Sequence, residues 1–105
     1  MSAPSFDPVI HAPARLQACA ILSSADEVEF ALLRDALEVS DSVLSKHLKQ
    51  LEEAGYVKAR KANSGGRQRT WLALTGDGRR AFRGHVKALE QLAAAVLPAG
   101  AAAAE

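Results

Sequence analysis

At 105 residues the chain has room for one hydrophobic core, which withdraws only about two thirds of the unfolded surface from water. With 49% hydrophobic and 24% charged residues it is too apolar for a disordered chain and ordinary for a globular one. The formal net charge is +1, no apolar run approaches the roughly 18 residues of a membrane span, and the N-terminus lacks the basic-then-apolar order of a secretory signal, so a cytoplasmic location is expected.

Residues 1–11 carry Pro4 and Pro8 without any apolar period and predict a flexible N-terminal arm, while the Ala-rich residues 98–105 predict a flexible tail. Pro13 suits the first turn of a helix that continues to about Ser23. Its apolar residues Leu16, Cys19, Ala20, Ile21 and Leu22 go most of the way round, which calls for two neighbours, a core and a partner subunit. Cys19 is the one cysteine of the chain, has no metal-ligand spacing around it and is expected to be a small buried hydrophobe. Glu27-Val28-Glu29-Phe30 alternates polar and apolar as a minimal strand does, and residues 31–37 follow as a short helix.

After a turn at Val39-Ser40, either Ser40 or Asp41 can cap a helix that runs to about Ala54. Its apolar side is Leu44, Leu48 and Leu51, and Gly55 closes it as a C-terminal cap. Residues 56–60 and 70–74 predict two strands joined across Asn63-Ser64-Gly65-Gly66, where Asn and paired glycines can supply positive backbone angles. Thr75 then caps a long helix over residues 76–97, with Asp77 in the first turn, where the helix dipole favours an acid. Phe82, Val86, Leu89, Ala93 and Val96 recur along it at alternating spacings of four and three.

The resulting order, helix-strand-helix-helix-strand-strand-helix, is mainly α with a small β-hairpin. Two short helices across a tight turn followed by a basic hairpin make a winged helix-turn-helix, here spanning residues 12–97. Charge distribution points the same way. Residues 1–41 hold two basic and seven acidic side chains, residues 42–83 hold ten and three, and residues 84–105 hold one and two. A basic middle inside a near-neutral protein suggests a surface aimed at a polyanion.

On the second helix of the pair the core leaves Ser42, Val43, Ser45, Lys46, Lys49 and Gln50 free. Short hydroxyls let the backbone approach base edges, lysines reach guanine acceptors or phosphate, and Val43 suits a thymine methyl. His47 lies between the core and outer faces, and is carried as a candidate contact. In the hairpin, Lys58, Arg60, Lys61, Arg67 and Arg69 flank the glycine tip, a composition suited to a narrow minor groove or to bidentate phosphate contact. Strand alternation puts Arg67 and Arg69 on one face and Gln68 and Thr70 on the other, so the two arginines can act together. The expected double-stranded DNA contacts are Ser42, Val43, Ser45, Lys46, His47, Lys49, Arg60, Lys61, Arg67 and Arg69.

The stretch from Val39 through Ser45-Lys46-His47-Leu48 and Leu51 to Gly55-Tyr56-Val57 resembles the recognition-helix signature of the MarR and ArsR groups of winged-helix regulators. Leu74-Thr75-Gly76-Asp77-Gly78-Arg79-Arg80-Ala81-Phe82 resembles the wing-to-helix junction of the same groups. The resemblance implies a homodimer held by terminal helices that presents two recognition helices to a pseudo-palindromic operator. It departs from the longer MarR proteins, whose extra dimer helices frame a ligand pocket. It also departs from the ArsR metal sensors, since no cysteine pair is present, so no effector is carried over.

The four-and-three stripe implies the same pairing through Leu16, Ile21, Val86, Leu89, Leu92, Ala93 and Val96. A winged helix that binds protein instead of DNA would present apolar residues at the wing tip and on the outer helix face, and here both are polar and basic. His11, His47 and His85 fall on different elements, two of them expected on opposite sides of the fold, so neither an enzyme nor a metal site is expected and no cofactor is implied.

Overall fold

The structure is a computed structural model that describes residues 6–96. In chain order it comprises α1 (Pro8–His11), α2 (Pro13–Ser23), β1 (Val28–Glu29), α3 (Phe30–Leu37), α4 (Asp41–Glu53), β2 (Val57–Ser64), β3 (Arg67–Leu74) and α5 (Gly76–Val96). The strands form one antiparallel sheet in the order β1-β3-β2. The winged-helix order read from the sequence is the order observed. The expected tail over residues 98–105 lies outside the described residues.

The helix-turn-helix corner is fixed by backbone chemistry at both ends of α4. At its start the Ser40 hydroxyl accepts from the Val43 N–H at 3.2 Å. At its end Gly55, at φ +81°, closes a Schellman motif in which Tyr56 N–H donates to Leu51 C=O and Gly55 N–H to Glu52 C=O, each at 2.9 Å. The preceding turn uses the same motif at the end of α3, with Val39 N–H on Arg34 C=O and Glu38 N–H on Asp35 C=O. There the left-handed position is filled by Glu38, at φ 56°, although an L side chain is disfavoured at that angle. Between these corners Leu44, Leu48 and Leu51 enter the core beside Ala18, Cys19, Leu22 and Leu33.

A second tight corner seats α5. The Thr75 hydroxyl donates to Gly55 C=O at 2.6 Å and accepts from Gly78 N–H at 2.9 Å, capping α5 on the end of α4. A Cβ at Gly78 would stand 2.1 Å from the Tyr56 carbonyl oxygen, so this contact admits only glycine.

Residues 8–11 differ from the loose arm expected of them. Asp7 accepts from the N–H groups of Val9 and Ile10, Pro8 takes the first helical position, and Ile10 is fully buried. What holds this single turn is distant in sequence. Tyr56 O–H donates to the Asp7 carboxylate at 2.5 Å, and Asp7 N–H donates to His85 Nδ1 at 2.9 Å. His85 itself is fully buried. Because Nδ1 accepts, its ring proton sits on Nε2 and points to His11 Nδ1, 3.1 Å away. His11 and His85 are therefore neighbours, which corrects the expectation that two of the histidines lie on opposite sides of the fold.

Candidate nucleic-acid interface

The outer face of α4 is open. Ser42, Val43, Ser45, Lys46, Lys49 and Gln50 are all exposed, and neither Lys46 nor Lys49 has an ion-pair partner among the described residues. His47 is half-buried. Arg15, on α2, donates to His47 Nδ1 at 3.3 Å, and burial followed by the Arg15 charge holds the imidazole below its ordinary value of 6.5. The ring is thus neutral at physiological pH, and α4 owes its positive charge to its lysines.

The strands of the hairpin run longer than the segments read from the sequence, pairing without interruption from Val57↔Leu74 to Ser64↔Arg67 around Gly65 and Gly66, both at positive φ. The extra residues are polar on both faces, so the period-2 signal that marks a half-buried strand is missing there. Register assigns the two faces. Ala59, Lys61 and Thr70 face inward and line a groove with Ser45, Leu48 and Glu52 of α4, so Lys61 stands between helix and wing. Arg60, Arg67 and Arg69 share the outward face with Lys58 and Trp71, the arrangement expected for Arg67 and Arg69.

The outward arginines are not equally free. Arg60 reaches diagonally across β3, its guanidinium 5.9 Å from the centroid of the Trp71 ring, and grips Glu27 through Nε at 2.9 Å and Nη2 at 2.7 Å. The hydrogen bond from Arg60 is the first cause holding the Glu27 carboxyl below its usual value. Arg69 donates through Nη1 to Glu29 at 2.7 Å. Arg67 forms no ion pair among the described residues. The two acids were not read as part of the site, although Glu27-Val28-Glu29 carries the signal: alternation puts both carboxylates on one face of β1.

Away from the wing, α5 buries Gly78, His85 and Ala88, and from Gln91 to Val96 every residue is exposed. Val86 and Leu89 are half-buried, Ala93 is exposed, and Leu92 and Val96 are 51% and 68% exposed. Leu16 and Ile21 pack partly against their own core. Phe82, Gly84 and Val86, with the stems of Arg83 and Lys87, line an open apolar groove on the same helix.

A family model described as the winged helix DNA-binding domain matches residues 14–93. The chain belongs to that family. An uncharacterized protein of Methanocaldococcus jannaschii is 33% identical over 84 residues, covering 80% of this chain and 91% of that protein. A transcriptional regulator homologue from Pyrococcus horikoshii superposes with a TM-score of 0.79 at 23% identity, over 84% of this chain and 87% of that one. The MepR protein of S. aureus, solved as a complex with DNA, superposes with a TM-score of 0.70 at 12% identity, over 83% and 71% of the two chains. Likeness at these identities is a likeness of fold. A MarR family member is also among the structural neighbours, in keeping with the resemblance read from the sequence. Among the described residues no helix is long and apolar enough to cross a membrane, and no cluster of three or more His, Cys, Asp and Glu side chains could hold a metal ion.

Proposed function

We propose that this winged-helix chain is a transcriptional regulator that binds specific double-stranded DNA as a homodimer. The observation that carries the reading is the pairing of an open, polar α4 face with a cation-bearing wing on one domain, joined by a groove that Lys61 and Ser45 line together. Ser42, Val43, Ser45, Lys46 and Lys49 enter the major groove, with His47 at the edge of the contact as a neutral imidazole. Lys61 meets the backbone between helix and wing, and Arg60, Arg67 and Arg69 lie along the adjacent minor groove or its phosphates.

The dimer rests on α5. Its 21 residues extend about 31 Å, and an exposed apolar stripe through Leu89, Leu92, Ala93 and Val96 runs past the body of the domain. An identical helix, with Leu16 and Ile21 at its flank, is the simplest cover for it. Two-fold pairing then sets the two α4 helices about 34 Å apart on a pseudo-palindromic operator.

Selection of bound fragments from random DNA tests the reading. The expected yield is an inverted repeat whose half-sites are centred about 10 base pairs apart. Recovery of no enriched sequence would remove the specific-regulator reading, and enrichment of single half-sites would remove the dimer.

A further inference from the structure

Two acidic residues of β1 occupy the positions at which the wing would hold DNA phosphate. Glu27 fills both prongs of the Arg60 fork, the bidentate geometry that a phosphate's oxygens also satisfy. Glu29 fills one prong of Arg69, and the Arg69 Nε–H, buried from solvent, has no partner. That orphaned donor faces unfinished business chemically: a buried N–H is rarely left without an acceptor. Arg34, Arg67 and Gln68 line one cleft with Glu29 and Arg69, so an anion entering there meets three guanidinium groups and one carboxylate. The acids reach their arginines because the strand order places β1 against β3, with Glu29 opposite Trp71 and Arg60 opposite Trp71 from the other side.

We propose that Glu27 and Glu29 are specificity-determining residues that act as internal phosphate surrogates. They hold Arg60 and Arg69 in place in the free protein and compete with the DNA backbone for them. The proposal rests on the DNA-binding reading above. Its consequence is a wing that spends part of its charge on itself: Lys58, Lys61 and Arg67 can neutralise phosphate outright, whereas Arg60 and Arg69 must exchange one anion for another. Sequence-independent affinity is thereby kept low, and the base contacts of α4 decide more of the discrimination between operator and random DNA.

The test measures affinity for operator and random duplexes across salt concentrations, using the full chain and its variants Glu27→Gln, Glu29→Gln and Asp26→Asn. Asp26 is exposed, adjacent and in no ion pair among the described residues, so Asp26→Asn removes a like charge without freeing an arginine. Each glutamine variant is expected to bind random DNA about two- to fivefold more tightly, the size of one exposed ion pair. Each should also steepen the slope of log affinity against log salt by about 0.9, the increment for one further phosphate contact. Asp26→Asn should leave the slope unchanged. Adding Arg60→Ala to Glu27→Gln should abolish that variant's gain. Equal or weaker binding by the glutamine variants, with an unchanged slope, would show the acids to be braces of the wing and overturn the proposal, as would an equal steepening by Asp26→Asn. If the unmutated chain bound neither duplex, the DNA reading would fall and the surrogate role with it, an outcome visible before any variant is compared.

Discussion

The helix α4 and the wing both present cations, but they hold them in opposite ways. Lys46 and Lys49 stand on flexible stems without ion-pair partners among the described residues, whereas Arg60 is gripped by Glu27 over the Trp71 ring and Arg69 by Glu29. Free lysines lose side-chain entropy when they engage a ligand, while pre-oriented arginines lose less entropy but must first release an anion. The difference separates two jobs that a similar charge count would suggest are one. The helix can follow base edges, and the wing sets how strongly the rest of the duplex is held.

The largest expected effect comes from breaking the pairing that lets two such helices act at once. Leu89→Glu combined with Val96→Glu places charges on the apolar stripe of α5 and should convert dimer to monomer in sedimentation velocity. Losing the second half-site should weaken operator binding by about a hundredfold to ten-thousandfold, the range linked sites gain over single ones. A double variant that stayed dimeric, or a monomer that kept its operator affinity, would mean that helix and wing of one subunit suffice.

A smaller effect separates helix from wing directly. Replacing Ser45 and Lys46 together by alanine should lower the ratio of operator to random affinity by about tenfold or more, since a good base contact discriminates by about 1–3 kcal/mol. Arg67→Ala should instead weaken both duplexes alike and flatten the salt slope by about 0.9. Equal changes in the ratio for both variants would erase the division of labour.

How much of this was legible in the sequence follows the same divide. The helix was legible because its signals are local: Ser40 at the cap, leucines at spacings of four and three, Gly55 at the end. The preceding corner was harder to read, because Glu38 takes a left-handed angle without the glycine that usually marks one. The tip of the wing was legible in Gly65 and Gly66, but the length of its strands was not, since exposed strands have no buried face to enforce alternation. α1 went unread although Asp7-Pro8 is a reasonable cap and first turn. One helical turn is too short to be stable alone, and the groups that hold this one, Tyr56 and His85, lie 49 and 78 residues away from Asp7. Glu27 and Glu29 became part of the site only once strand order was known.

The smallest effect expected is that of pH, which again divides the two regions. The cations of the wing are arginines and lysines that do not titrate near neutrality, whereas the body that supports α4 contains His47 and His85. Burial is the first cause that holds each of these imidazoles below the ordinary 6.5; Arg15 adds to it at His47, and His11 does so at His85 against an opposing pull from Asp7. A histidine whose folded value is depressed binds its proton more readily in the unfolded chain, so its contribution to stability is complete above pH 6.5 and is lost as pH falls through the folded value. Protonation of His85 would also set a second donor against Asp7 N–H, loosening α1. The midpoint of thermal unfolding should therefore be flat from pH 8 to 7 and fall below about 6.5, the ordinary histidine value. His85→Gln keeps an acceptor for Asp7 N–H but cannot titrate, and should flatten most of that fall. His47→Gln should flatten less of it, because His47 is only half-buried. The charge-neutral Arg67→Lys change in the wing should leave the profile as it was. A midpoint that rose on acidification, or an acid fall that survived His85→Gln intact, would show that the imidazoles are not what ties the stability of the helix side to pH.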